Sequence, residues 1–156
     1  MRRDRMINNN KFLTTLFSAV VAFSLFTGTA FAMMDGSNMD HAKVVVQISS
    51  NDVKAQKRTL KRVGWVMDDF NDVATVEVVG IGPAFGMFSK DGPLSKTVKK
   101  LMKRGVTFTA DASIQKMMKM HDLPTDLVDG VQHVKVGPAH IVKRQMQGYK
   151  YLALFF

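Results

Sequence analysis

The stretch Gly105-Val-Thr-Phe-Thr-Ala-Asp-Ala-Ser113 decides the fold of this chain, together with the run at 114–121 that follows it. Val and Phe alternate with Thr in its first half, which is the two-residue period of a β-strand. Asp111 or Ser113 then offers an oxygen that caps a helix, on which apolar residues recur at helical spacing. A strand that leads directly into a helix is the central unit of an α/β domain, and ligands of such domains bind at the junction.

Segments of the same two kinds surround this central unit. Strands are predicted at 43–48, 74–81, 131–136 and 149–156, and helices at 53–70, 93–104 and 137–147. Their alternation with short links predicts an α/β fold, a three-layer domain in which a five-stranded, mainly parallel sheet is flanked by helices. The last helix is expected to turn Ile141, Val142 and Met146 inward. The glycines around Pro83 predict a tight loop, because a nucleotide-binding motif would follow the first strand and open directly into a helix.

The amino-terminal segment has the composition of a secretory signal peptide. A positively charged start precedes an apolar run at 12–28, and Ala30-Phe31-Ala32 fits the small-residue rule of signal peptidase. We therefore expect a signal peptide at 1–32, a flexible Met-rich leader at 33–42 and a single domain at 43–156. The protein would then be periplasmic or secreted and free of the membrane after cleavage. The alternative is an uncleaved anchor, since about 17 apolar residues lie near the lower limit for a membrane helix.

The charge and the cysteine count narrow the range of functions. Residues 1–32 hold four of the 22 basic and one of the 13 acidic residues, so their removal lowers the formal charge from +9 to +6. The excess is concentrated on the first two helices. We interpret it as solvated helix faces and expect no nucleic-acid partner, because no basic and aromatic residues interleave. With no cysteine in the sequence, disulfides and thiolate chemistry are excluded.

Two clusters of Met and His side chains offer ligands for a soft metal. Thioether and imidazole groups suit copper in an oxidising compartment. The clusters are Met33, Met34, Met39 and His41 in the leader, and Met117, Met118, Met120 and His121 after the central strand. Chance methionines in a flexible tail also explain the first cluster, and core packing explains the second. We assign no resident cofactor and keep copper binding by the leader as the alternative function.

The carboxyl ends of the predicted strands define a candidate ligand site. A parallel sheet brings these ends to one edge, where we expect Asn51, Phe85, Asp111, Ser113 and His140 to bind a ligand. Asp111 and His140 would form a general-base pair if they came within about 3 Å of each other. Otherwise Asp111 caps a helix and His140 lies at the surface of a first helical turn. No residue is assigned a catalytic role.

Four stretches of the chain resemble one known family. They are Leu101-Met-Lys-Arg-Gly-Val-Thr-Phe-Thr-Ala110, Leu127-Val-Asp-Gly-Val131, Val134 to Pro138, and Gln145-Met-Gln-Gly-Tyr-Lys-Tyr151. Together they are similar to the DsrE/DsrF-like family, also called YchN-like, over most of residues 43–154. The terminal Gln-x-x-Gly-Tyr-x-Tyr is the most specific of these motifs.

This resemblance implies a five-stranded α/β domain that associates into a homo-oligomer, a trimer or a hexamer. Several members of the family relay sulfur through a cysteine, and the matching place in this chain is about Asp111. A carboxylate cannot carry persulfide sulfur as a thiolate does. We therefore expect a non-enzymatic domain that binds an unidentified small ligand or a protein partner.

Overall fold

Parallel strands form the centre of the fold in a computed structural model, which describes residues 42–154. The strands in this range are β1 (Lys43–Ile48), β2 (Thr75–Gly80), β3 (Thr107–Asp111), β4 (Gln132–Val134) and β5 (Lys150–Leu152). The helices are α1 (Val53–Asp69), α2 (Phe85–Phe88), α3 (Ser95–Lys103), α4 (Ala112–Met120) and α5 (Gly137–Met146). The sheet has the order β4-β3-β2-β1-β5, and all neighbouring strands are parallel.

This strand order places helices on both faces of the sheet. The chain moves from β1 through β2 and β3 to β4 in one direction, and right-handed crossovers then put α1, α3 and α4 on the same face. The connection from β4 to β5 runs back in the opposite direction, so α5 lies on the other face. The predicted five-stranded α/β sheet flanked by helices is confirmed. No helix within residues 42–154 is long and apolar enough to span a bilayer.

The two faces of the sheet bury cores of different size. Alternate residues of a strand point to opposite faces, so Val46 and Val45 enter different cores. The larger core lies beneath α1, α3 and α4 and contains Leu60, Phe108 and Met118 among many other side chains. On the α5 side the buried cluster consists of Val45, Val79 and Ile141, with Ile81 and Tyr149 packed against it. The attachment of α5 therefore depends less on apolar contact than that of the other helices.

Three details differ from the sequence-based expectations. The strands β4 and β5 are three residues long, shorter than the segments predicted at 131–136 and 149–156. Val142 and Met146 are 55% and 83% exposed rather than inward, because the small core beneath α5 has room for Ile141. The segment around Pro83, predicted as a tight loop, is a 3₁₀ turn at Gly82–Ala84 followed by α2, whose Phe85, Met87 and Phe88 are buried.

The close approach of α2 to the sheet requires a glycine at position 80. A Cβ atom on Gly80 would overlap the ring of Phe88, which is fully buried and contacts Phe108 edge-on. Gly80→Ala should therefore lower the free energy of unfolding by about 1–3 kcal/mol through overpacking. Urea denaturation followed by circular dichroism measures this change.

Gly64→Ala is the matched control for this substitution. The nearest atom to its Cβ outside the local helix would be Arg104 Nη1, at 4.0 Å, and alanine is the better helix former. We expect this variant to equal or exceed the wild type in stability, by up to about 1 kcal/mol. Equal losses in both variants would contradict the contact between Gly80 and Phe88.

Candidate functional site

Asp111 ties together the loops at the carboxyl edge of the sheet. It ends β3 and caps α4, because its Oδ1 accepts a hydrogen bond from the Ser113 backbone N at 3.0 Å. The Ser113 hydroxyl donates to the same carboxylate and accepts from the Gly82 backbone N at 2.7 Å. The Gly137 backbone N donates to Asp111 Oδ2 at 3.4 Å. Both carboxylate oxygens therefore serve the backbone and side chains of neighbouring segments.

The first turn of α5 packs tightly against this carboxylate. A Cβ on Gly137 would lie 2.7 Å from Ile81 Cγ1 and 3.1 Å from Asp111 Cβ, so only glycine permits this approach. The contact lies between the ends of β3 and β4, where the chain leaves the sheet toward opposite faces. In open α/β sheets this switch point is the usual place of a ligand. Here its centre is filled by Asp111 and Gly137, so free space lies to the side.

A buried glutamate on the α5 side of the sheet organises the neighbouring side chains. Glu77, in the middle of β2, is 1% exposed. Its Oε1 accepts a hydrogen bond from Thr109 Oγ1 at 2.5 Å and lies 2.7 Å from His140 Nε2. Its Oε2 accepts from Arg144 Nε at 2.5 Å. The cluster joins two strands of the sheet to α5 by polar contacts.

The electrostatics of this cluster favour an ionised carboxylate. Burial raises the pKa of Glu77, but hydrogen bonds from Thr109 and His140 and the charge of Arg144 outweigh it, so the pKa falls below its usual value. An ionised carboxylate fixes the His140 ring by its Nε2 atom, which leaves Nδ1 for another partner. Glu77 was not predicted from the sequence. The only local signal was one carboxylate inside a run of β-branched residues, since its partners Thr109, His140 and Arg144 lie 32, 63 and 67 positions further along the chain.

A cleft opens beside the switch point, between the end of β4 and α5. Its volume is about 350 Å³, and it is lined by Val134, Lys135, Val136, Ala139, His140 and Lys143. We call it the β4–α5 cleft. Its ionisable side chains are two lysines and the histidine that Glu77 fixes. A second cleft of about 290 Å³ at the ends of β1 and β5 is lined by uncharged residues such as Ser49, Ser50 and Tyr151.

The structure places the five predicted ligand residues in four different environments. Asp111 and Ser113 are hydrogen-bonded to each other. Phe85 is buried and stacks on His121, with ring centroids 5.2 Å apart, whereas Asn51 is exposed after β1. His140 bonds Glu77 and lines the β4–α5 cleft. The structure thus pairs His140 with Glu77 rather than with Asp111, which takes the capping role.

The predicted copper ligands of the leader, Met33, Met34, Met39 and His41, lie outside the described residues. In the second cluster, Met118 is fully buried in the larger core, as core packing predicted, and Met120 is exposed. Within residues 42–154, no three His, Asp or Glu side chains are grouped so that they could hold a metal ion. Copper binding by the leader stays a prediction.

Comparison with known proteins gives matches among solved structures. No family model matches the chain, and neither does any curated protein. A protein of unknown function from Methanobacterium thermoautotrophicum, MTH1491, is 27% identical with a TM-score of 0.63. The ychN protein from E. coli is 11% identical with a TM-score of 0.57. Each alignment covers 72% of this chain and 99% of the other. This chain has the fold of the YchN-like family. The fold implied by the resemblance of the sequence motifs is confirmed, and the chain contains no cysteine.

The role of Glu77 in this YchN-like fold is testable through pH. Glu77→Gln keeps the size of the side chain but removes the charge that faces Arg144 and His140. Breaking a buried pair of this kind costs about 3–5 kcal/mol, which we expect at neutral pH. Because the folded pKa lies below the unfolded one, this stabilisation is complete above the ordinary value of 4.5 and is lost as the pH falls through the folded pKa. The difference in the free energy of unfolding between the wild type and Glu77→Gln, measured by urea denaturation, should therefore narrow below pH 4.5.

Asp129→Asn is the control for this experiment. It removes the same charge from an exposed carboxylate that pairs with Lys90 and Lys99. Solvent screens such pairs, so the loss of stability should be much smaller. A similar loss in both variants, or a gap for Glu77→Gln that does not change with pH, would contradict the buried ionised cluster.

Proposed function

We propose that this chain is an exported, non-enzymatic binding protein that holds a small anionic ligand in the β4–α5 cleft. The observation that carries the proposal is the position of His140. A buried, ionised Glu77 fixes this ring at the wall of a cleft that also contains Lys135 and Lys143. Export is supported by the signal-peptide pattern at 1–32.

The charges of the cleft favour an anion. Lysine ammonium groups at Lys135 and Lys143 are cationic at neutral pH, and no acidic residue lines the cleft. The ring of His140 is held through Nε2, which leaves Nδ1 available for a hydrogen bond with a ligand. These groups match the oxygens of a carboxylate, phosphate or sulfur oxyanion. The cleft volume of about 350 Å³ lies within the range of small-molecule sites.

The location of the cleft supports the same function. It adjoins the point where β3 and β4 send the chain to opposite faces of the sheet, and doubly wound folds bind ligands there. Asp111 holds the first turn of α5 at this point. This contact positions the wall of the cleft, and a binding site that is formed in advance lowers the entropic cost of binding.

Inorganic phosphate is a suitable probe for the cleft. It should raise the melting temperature of the wild type and shift the NMR signals of the His140 ring. In Lys135→Gln/Lys143→Gln the apparent affinity should fall by roughly tenfold or more, because two charge-assisted contacts are lost. Titration by thermal shift and by ring-selective NMR measures both effects.

The matched control is Lys116→Gln/Lys119→Gln, which removes the same charge from exposed positions on α4. It should bind phosphate as the wild type does. Equal weakening in both variants would mean that phosphate responds to the overall charge. Stabilisation by phosphate without a change in the His140 signals would place the anion elsewhere and overturn the proposal.

We also infer that the chain forms a homo-oligomer through the outward side of α5. Val142 and Met146 lie there, four residues apart on one side of the helix, and are among the most exposed large apolar residues of the described chain. Exposed apolar side chains that adjoin one another mark interaction sites. A second copy of the chain is the occupant that the resemblance to a trimeric or hexameric family supports.

Val142→Lys/Met146→Lys should shift the mass measured by light scattering toward that of the monomer. The new lysine charges of neighbouring copies would repel one another across the contact. Val73→Lys is the control, because Val73 is also exposed but precedes β2 and is not part of α5. A wild type that is monomeric at high concentration, or a double variant of unchanged mass, would contradict an interface at α5.

A further inference from the structure

The outward sides of α1 and α3 form a basic surface on the face of the sheet opposite α5. Its residues, at helical spacings, are Lys54, Lys61 and Trp65 on α1 and Lys96, Lys100 and Lys103 on α3. No acidic residue lies within α3. The two acidic residues of α1, Asp68 and Asp69, lie in its last turn, where Asp68 and the following Asp72 are hydrogen-bonded to Arg104. We call these outward sides the α1–α3 face.

A shallow groove runs between the two helices. Its volume is about 290 Å³, with the buried Leu60 and Leu101 at its base and Lys57, Lys61 and Lys100 among its lining residues. Gly64 also lines the groove and leaves it open, since its missing side chain has no close neighbour. The face therefore combines apolar surface in the groove with cationic groups around it.

Trp65 is the feature that electrostatics alone does not explain. Its side chain is 55% exposed on the outermost line of α1, and Lys61 Nζ lies 5.1 Å from its ring centroid. An indole ring has a large apolar surface and one polar N–H group, so it favours an environment that is apolar on one side and wet on the other. Such rings are enriched at the interface between a bilayer and water.

From these observations we propose that the α1–α3 face binds the surface of an anionic phospholipid bilayer. The lysines contact lipid phosphates, and the ring of Trp65 enters the interfacial layer. The cations are spread over two neighbouring helices rather than gathered around one point, which suits a plane of many headgroups better than one bound anion. Charge composition alone predicted solvated lysines and no membrane contact; Trp65 is the observation that changes this interpretation.

Trp65 also reports on its own environment, because it is the single tryptophan of the chain. Its fluorescence emission should move to shorter wavelength when the purified protein meets vesicles of equal parts phosphatidylglycerol and phosphatidylcholine. Vesicles of phosphatidylcholine alone should cause no shift, and salt should reverse the shift because it screens the lysines. A shift with soluble polyglutamate or single-stranded DNA, but not with the anionic vesicles, would overturn the proposal in favour of another polyanion.

Variants test the contribution of the face itself. Each lysine near an anionic bilayer contributes about fivefold to partitioning, so Lys61→Gln/Lys100→Gln should lower vesicle co-sedimentation by roughly 30-fold. Lys43→Gln/Lys150→Gln carries the same charge change on β1 and β5 and should lose little. Trp65→Ala should weaken co-sedimentation with its lysines intact. Equal losses in the two double variants, or full binding by Trp65→Ala, would overturn the assignment to this face.

Discussion

The charge of Glu77 is the constraint on which one half of the structure depends. A carboxylate buried in a sheet without partners costs several kcal/mol, so the fold must supply donors for both of its oxygens. Thr109 comes from the neighbouring strand, and His140 and Arg144 come from α5. Since the apolar core on that face is small, these polar contacts determine where α5 lies. The wall of the β4–α5 cleft follows from the same contacts.

Asp111 organises the carboxyl edge of the sheet, as Glu77 organises the side that faces α5. In the sulfur-relaying members that the sequence resembles, a cysteine occupies about this place. Here the carboxylate caps α4 and holds the start of α5, so the position serves the architecture instead of carrying a sulfur atom. The β4–α5 cleft opens beside this position, on the α5 side.

The sequence predicted the elements well because their patterns are local. The alternation at 107–109, the cap at Asp111 and the glycine that follows α3 each depend on a few adjacent residues, and each appears in the structure. Val142 was placed inward because a helical period does not reveal how wide the facing core is. Glu77 was missed because its partners are distant in sequence, and a pattern of neighbours cannot identify them.

The outer strands of the sheet have a consequence for solubility. The edge strands β4 and β5 each contain three residues, so each edge of the sheet presents few unpaired amide and carbonyl groups to another molecule. Long exposed edge strands pair with strands of other chains and promote fibril formation, and short edge strands are one of the ways in which natural sheets prevent this. A chain without disulfides has no covalent protection against partial unfolding. Its short edge strands offset this lack of protection, because they offer few groups for intermolecular β-pairing.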